Sequence, residues 1–146
     1  LIGIKVTPLN DNNNAVQVTF AQEQTATLAL RQQPHKALNL LPHLKDNSAI
    51  TWQVRVDKPI ESDIKAKIDC GAPCSGEVDI SAALKAKPLG QWQTLSIDLA
   101  CYLPGTDLRK VASPLVLSSS GALNISFAGG NLVPNSAKNA DIQCSK

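Results

Sequence analysis

The chain has 146 residues, of which 43% are apolar and 18% charged, and its formal net charge is +2. That length suits one domain of about 100–150 residues with a real core, and the composition excludes a disordered chain. Lys and Arg are scattered, which argues against a phosphate-tracking nucleic-acid surface, and no run approaches the ~18 apolar residues of a membrane span.

Period-two alternation of apolar and polar residues dominates the chain and predicts half-buried strands. A first strand is predicted near Gly3–Thr7, followed by a polar loop at Asn10–Asn14. Val16, Val18 and Phe20 alternate with Gln17 and Thr19, and a further strand is predicted near Thr25–Leu30. His35 and His43 flank a mixed segment containing Pro34, Leu38, Leu40, Leu41 and Pro42. The cleanest strand follows, with Ile50, Trp52, Val54 and Val56 alternating with Thr51, Gln53 and Arg55. Ile64, Ala66 and Ile68 then alternate with Lys65 and Lys67. One short helix is predicted over Asp79–Lys87, opened by Asp79 or Ser81 as a cap and closed before Pro88. Leu95, Ile97 and Leu99 mark the next strand, Asp107–Lys110 a single turn, and Pro114–Ser118 another strand. Leu123, Ile125 and Phe127 form the last alternating run, which Gly129-Gly130 ends as a turn. Many short strands with regular turns predict an all-β antiparallel sandwich of the jelly-roll kind, one domain spanning residues 1–146.

Leu1–Ile4 has neither the basic region nor the cleavage site of a signal peptide, and the first residue is not Met, so the chain reads as a mature or excised fragment. Four cysteines in a small β-rich chain favour an oxidising compartment. Cys70 and Cys74 bracket a turn, Gly71-Ala72-Pro73, short enough for disulfide reach, which leaves Cys101 and Cys144 to pair. Three connectivities exist for four cysteines. The competing reading is zinc, which usually wants two ligand pairs at short spacing, whereas Cys101 and Cys144 are isolated and neither His is near.

No nucleophile elbow, zincin helix, P-loop or dinucleotide fingerprint is present. A glycosidase needs two carboxylates across a cleft, and Glu61, Asp63, Asp69, Glu77, Asp79, Asp98 and Asp107 qualify by type alone. Sugar-binding sandwiches stack pyranose rings on exposed aromatics, but aromatics are only 3% of this chain. Phe20, Trp52 and Phe127 lie on the apolar phase of their strands and belong to the core. Trp92, which suits core anchoring better than a platform, and Tyr102 remain as carbohydrate-binding candidates, Tyr102 as the ring most expected at the surface. Asn124-Ile125-Ser126 matches an N-glycosylation pattern and equally the polar phase of a strand.

The run from Ile68 to Ile80 around Cys-Gly-Ala-Pro-Cys, the run from Gln91 to Tyr102, Pro104–Leu108, and Ser113–Leu123 together carry a specific pattern. It resembles the C-terminal domain of ExoP-type bacterial β-glucosidases and exo-β-glucanases of glycoside hydrolase family 3. Tyr102 departs from the Phe of the family's Cys-Phe pair, and Phe20 stands where Trp is more usual. The resemblance implies a galactose-binding-like jelly roll appended to a hydrolase whose catalytic residues lie outside this chain. It therefore implies a non-catalytic accessory module with no cofactor and no metal, structural calcium having no motif. The implied partners are the catalytic domains of the same polypeptide and, secondarily, β-glucan or an oligosaccharide, in the periplasm or secreted. The alternative is a genuine carbohydrate-binding module, against which the shortage of exposed aromatics weighs.

Overall fold

A pleated backbone sends every second side chain to one face, so the alternating segments can bury one row each in a shared core. The computed structural model describes residues 4–8, 15–27 and 37–144. It contains the strands β1 (Ile4–Pro8), β2 (Val16–Phe20), β3 (Gln24–Thr27), β4 (Ala49–Val56), β5 (Ile64–Asp69), β6 (Glu77–Asp79), β7 (Trp92–Asp98), β8 (Ser113–Ser119) and β9 (Leu123–Val133), with helices α1 (Leu41–Lys45) and α2 (Ser81–Lys85). One sheet has the order β1-β2-β9-β4-β7 and the other β3-β8-β5-β6, so the chain passes repeatedly from one sheet to the other. All named pairs are antiparallel. Between the sheets lie Phe20, Trp52, Ile64, Ile97, Leu117 and Phe127, all fully buried as their strand phase predicts.

Four local differences from the sequence reading have physical causes. Gly129-Gly130 is not a turn; β9 runs on to Val133 through a bulge, with Thr51 facing Asn131 and Trp52 facing Gly129. The extra residue, Gly130, has φ +121°, and a Cβ there would stand 2.6 Å from Cζ3 of Trp52. Only glycine allows both the backbone and the indole at that place. The short strand β6 carries a single inward side chain, Val78, too little for a periodicity signal. Helix is more plentiful than the one element expected: α1 forms with Pro42 in its first turn, and 3-10 turns form at Leu99–Tyr102 and Ala137–Asn139. Finally, α2 begins one residue later than Asp79 would set it as a cap; the N-cap is Ile80, while Asp79 Oδ1 accepts the Ser81 N–H at 2.9 Å. The predicted strand residues 28–30, the polar loop residues 10–14 and His35 lie outside the described residues.

The end of the chain is held as an extra rib. Ile142 bridges Ile97 in parallel, accepting from the Asp98 N–H at 2.9 Å and donating to the Ser96 carbonyl at 3.2 Å. Asp141 Oδ2 accepts from the Ser96 N–H and from Lys87 Nζ, and Cys144 is bonded to Cys101. The tail thereby covers part of the open edge of β7, which would otherwise offer unpaired backbone groups to another chain.

Candidate functional site

The outward face of the five-stranded sheet carries an organised polar row. Gln17 of β2 faces Ser126 of β9, Ser126 faces Arg55 of β4, and Arg55 faces Trp92 of β7, so sheet register alone aligns four side chains across four strands. Asp57, just beyond β4, closes the row. Its carboxylate accepts from Arg55 Nε at 2.6 Å, from Ser126 Oγ at 2.7 Å and from Gln17 Nε2 at 3.3 Å. Arg55 Nη2 also donates to Ser126 Oγ at 3.2 Å, and Gln17 Nε2 to Asn124 Oδ1 at 3.1 Å. The guanidinium carbon of Arg55 lies 5.2 Å from the centre of the half-buried Trp92 ring, within cation–π range. One row further, Gln53 Nε2 donates to Thr94 Oγ1 at 3.0 Å.

With Ser126 buried beneath it, the row shows an amide, a paired guanidinium and carboxylate, and a half-buried indole, a set that suits a hydroxyl-rich neutral ligand. Because Arg55 and Asp57 neutralise one another, the row offers little to a free anion. Sequence reasoning singled out Trp92 but missed Arg55, Asp57, Gln17 and Ser126. The strand phase placed Gln17 and Arg55 outside, while their alignment depends on register between strands far apart in sequence.

Tyr102 does not join this row. It is 0% exposed, and burial pushes its phenol well above the usual range. A ring stacking on sugar must show a face to solvent, so Tyr102 is withdrawn as a carbohydrate platform: the 3-10 turn after β7 rotates it inward.

Four of the carboxylates that qualified by type cap turns, and Asp98 also accepts the Cys144 N–H at 2.9 Å. Asp69, Asp79, Asp98 and Asp107 each accept the N–H two residues ahead, from Gly71, Ser81, Ala100 and Arg109 respectively. This is turn-capping chemistry. The Arg109 guanidinium and N–H hold Asp107 down to about 2, and the Ser81 N–H and hydroxyl hold Asp79 below its ordinary 3.8. Glu77 pairs with Lys65 at 3.1 Å. His43 lies in the last turn of α1, and among the described residues no three His, Cys, Asp or Glu side chains gather as metal ligands. Cys70 is bonded to Cys74 and Cys101 to Cys144, which places the chain in an oxidising compartment. Ser126 of the glycosylation pattern is buried mid-strand and donates to Asp57, so it serves the row. No helix of the described residues is long and apolar enough to cross a membrane.

Two antiparallel sheets with this order and an organised polar face define a galactose-binding-like β-sandwich. The chain belongs to the Exop_C family, described as galactose-binding domain-like, which matches residues 3–131. No protein of curated function matches it in sequence. Among solved structures, it is similar to the exo-1,3/1,4-β-glucanase ExoP of a Pseudoalteromonas species, with TM-score 0.66 and 17% identity; the match covers 97% of this chain and 16% of that one. The extra C-terminal domain of ExoP, solved alone, gives TM-score 0.60 and 18% identity over 98% of this chain and 76% of that one. The family 30 carbohydrate-binding module of the Clostridium thermocellum cellulosomal cellulase Cel9D-Cel44B gives TM-score 0.64 and 12% identity over 90% of this chain and 82% of that one. At such identities these likenesses are of fold. The chain spans about a sixth of the exo-glucanase it resembles.

Proposed function

We propose that this chain is the non-catalytic accessory module, one domain over residues 1–146, of an exported family 3 glycoside hydrolase that removes terminal β-glucosyl residues. Its main role is to support the catalytic domains of the same polypeptide, in the periplasm or outside the cell, without a cofactor. The observation carrying this reading is the Exop_C match over residues 3–131. Deleting the module from the parent enzyme should lower the enzyme's thermal midpoint; an unchanged midpoint would remove the supporting role.

A second reading, a carbohydrate-binding module that holds the enzyme on β-glucan, is favoured by the row from Gln17 to Trp92 and by the likeness to family 30 modules. Trp92 is the glycan-contact residue of this reading. Of the two tryptophans, Trp52 is buried and Trp92 is not, so fluorescence reports on the row. Titration with laminari- and cello-oligosaccharides should change the emission. No response at millimolar sugar would rule out ordinary sugar recognition and leave the supporting role.

A further inference from the structure

Asp57 is the least exposed charged group of the polar row, yet donors from three strands converge on it. Its side chain is 11% exposed against 23% for Arg55, and its carboxylate accepts from Gln17 of β2, Arg55 of β4 and Ser126 of β9. The backbone fixes its place. Two residues past Arg55 it keeps the same strand phase, and its N–H donates to the Asn124 carbonyl of β9 at 3.1 Å.

Arg55 has five N–H groups, and its bonds to Asp57 and Ser126 engage Nε and Nη2. Among the described residues nothing accepts from Nη1, which leaves that end of the guanidinium for a ligand. The same guanidinium lies 5.2 Å from the centre of the Trp92 ring, so Asp57 also sets, through Arg55, the approach to the indole.

An unpaired guanidinium here would be a carboxylate receptor, because its planar fork matches two carboxylate oxygens. With Asp57 at 2.6 Å, the pair has no net charge to offer, and an incoming carboxylate meets the charge of Asp57 as well. A sugar hydroxyl can accept from Nη1 without adding charge, so it meets no such opposition. The next row adds only neutral groups, Gln53 and Thr94.

We infer that Asp57 is the specificity-determining residue of the row: it cancels the Arg55 charge, which admits neutral glycans and excludes chains bearing uronate carboxylates. The inference rests on the carbohydrate-binding reading above. Asp57 acts through Arg55 and is a positioning residue.

A matched pair of ligands tests this role by calorimetry: cello-oligosaccharides, and the same chains oxidised to carboxylates at C6. Laminari-oligosaccharides serve as a second neutral probe. Wild type should bind a neutral chain and leave the oxidised chain unbound even at about 10 mM salt, where screening sets in only beyond about 30 Å. Asp57→Asn keeps an acceptor for Arg55 Nε and removes the charge. It should bind the oxidised chain at least about tenfold more tightly than wild type, the worth of one charge-assisted hydrogen bond, and added salt should erase the gain. The double variant Arg55→Gln, Asp57→Asn should show no gain, which separates a freed charge from a loosened fold.

An unchanged preference in Asp57→Asn, or an equal gain in the double variant, overturns the role of Asp57 and leaves sugar binding standing. Should Asp57→Asn not fold, wild type at low salt decides: binding the oxidised chain as tightly as the neutral one overturns the role. A wild type that binds no neutral chain removes the carbohydrate-binding reading, and the specificity role falls with it.

Discussion

The two sheets bury similar rows of Val, Ile and Leu, but their outward faces follow different rules. On the four-stranded sheet Lys65, Lys67, Glu77 and Asp79 stand in solvent, and the Lys65–Glu77 pair is 42% exposed on both sides. On the five-stranded sheet the Arg55–Asp57 pair is only 23% and 11% exposed, and further donors converge on the same carboxylate. An exposed pair contributes about 0–1 kcal/mol, whereas breaking a covered one leaves an unmatched charge at several times that cost. A strand's outer phase is therefore not one category: the first face keeps a module soluble, the second is built to hold a shape.

Each sheet also has its own disulfide, which gives the largest contrast. Cys101–Cys144 ties the tail rib to the five-stranded sheet across a separation of 43 residues, while Cys70–Cys74 closes a loop of separation 4 after β5. Loop-closure entropy scales with the logarithm of that length. Replacing Cys101 and Cys144 with Ser should therefore cost about 4 kcal/mol, and replacing Cys70 and Cys74 about 2 kcal/mol, by denaturant unfolding. Equal losses would remove the entropic explanation.

Next in size is the ion-pair comparison. Asp57→Ala removes the carboxylate that Arg55, Ser126 and Gln17 share, leaves the half-buried Arg55 charge unmatched and should lower stability by about 2–3 kcal/mol, while Glu77→Ala should cost less than about 0.5 kcal/mol. Comparable costs would mean that the two faces differ only in appearance.

A smaller effect belongs to ligand affinity. If the polar row holds β-glucan oligosaccharides, Trp92→Ala should weaken Kd about tenfold, roughly 1.4 kcal/mol. An intact affinity in calorimetry would move the contact away from Trp92.

The smallest concerns Asp79, on the solvated face. Ser81 donors depress its folded pKa below the ordinary 3.8, so its charge stabilises the fold above that pH. The stability is lost as pH falls from about 4 through the lower folded value. Asp79→Asn keeps an acceptor for the Ser81 N–H but carries no charge, so the gap in thermal midpoint between wild type and variant at pH 6 should close below pH 4. A gap that persists in acid would show that geometry, not charge, is what Asp79 contributes.

The inward rows at Val16–Phe20, Ile50–Val56, Ile64–Ile68 and Leu123–Phe127 were legible because strand periodicity is local and hydrophobic burial needs only one correct phase. The bulge at Gly130 was not, since its reason is Trp52, far earlier in the chain. Trp92 could be picked out as a candidate by type, but its partnership with Arg55 could not. Tyr102 was misplaced because its direction follows from a 3-10 turn, not from the strand before it.

Local sequence was thus enough to specify an all-β sandwich with a two-sided pattern in each strand, an oxidising environment, and a cysteine-centred pattern shared with the Exop_C family. Those properties are written in neighbouring residues: alternation, turn chemistry and spacing. Folding in three dimensions settled which polar side chains share a row, which aromatic is covered, and that the Cys70–Cys74 loop is bonded to the segment after Cys101. Such outcomes depend on register and on loops brought together from distant parts of the chain, where no local preference acts.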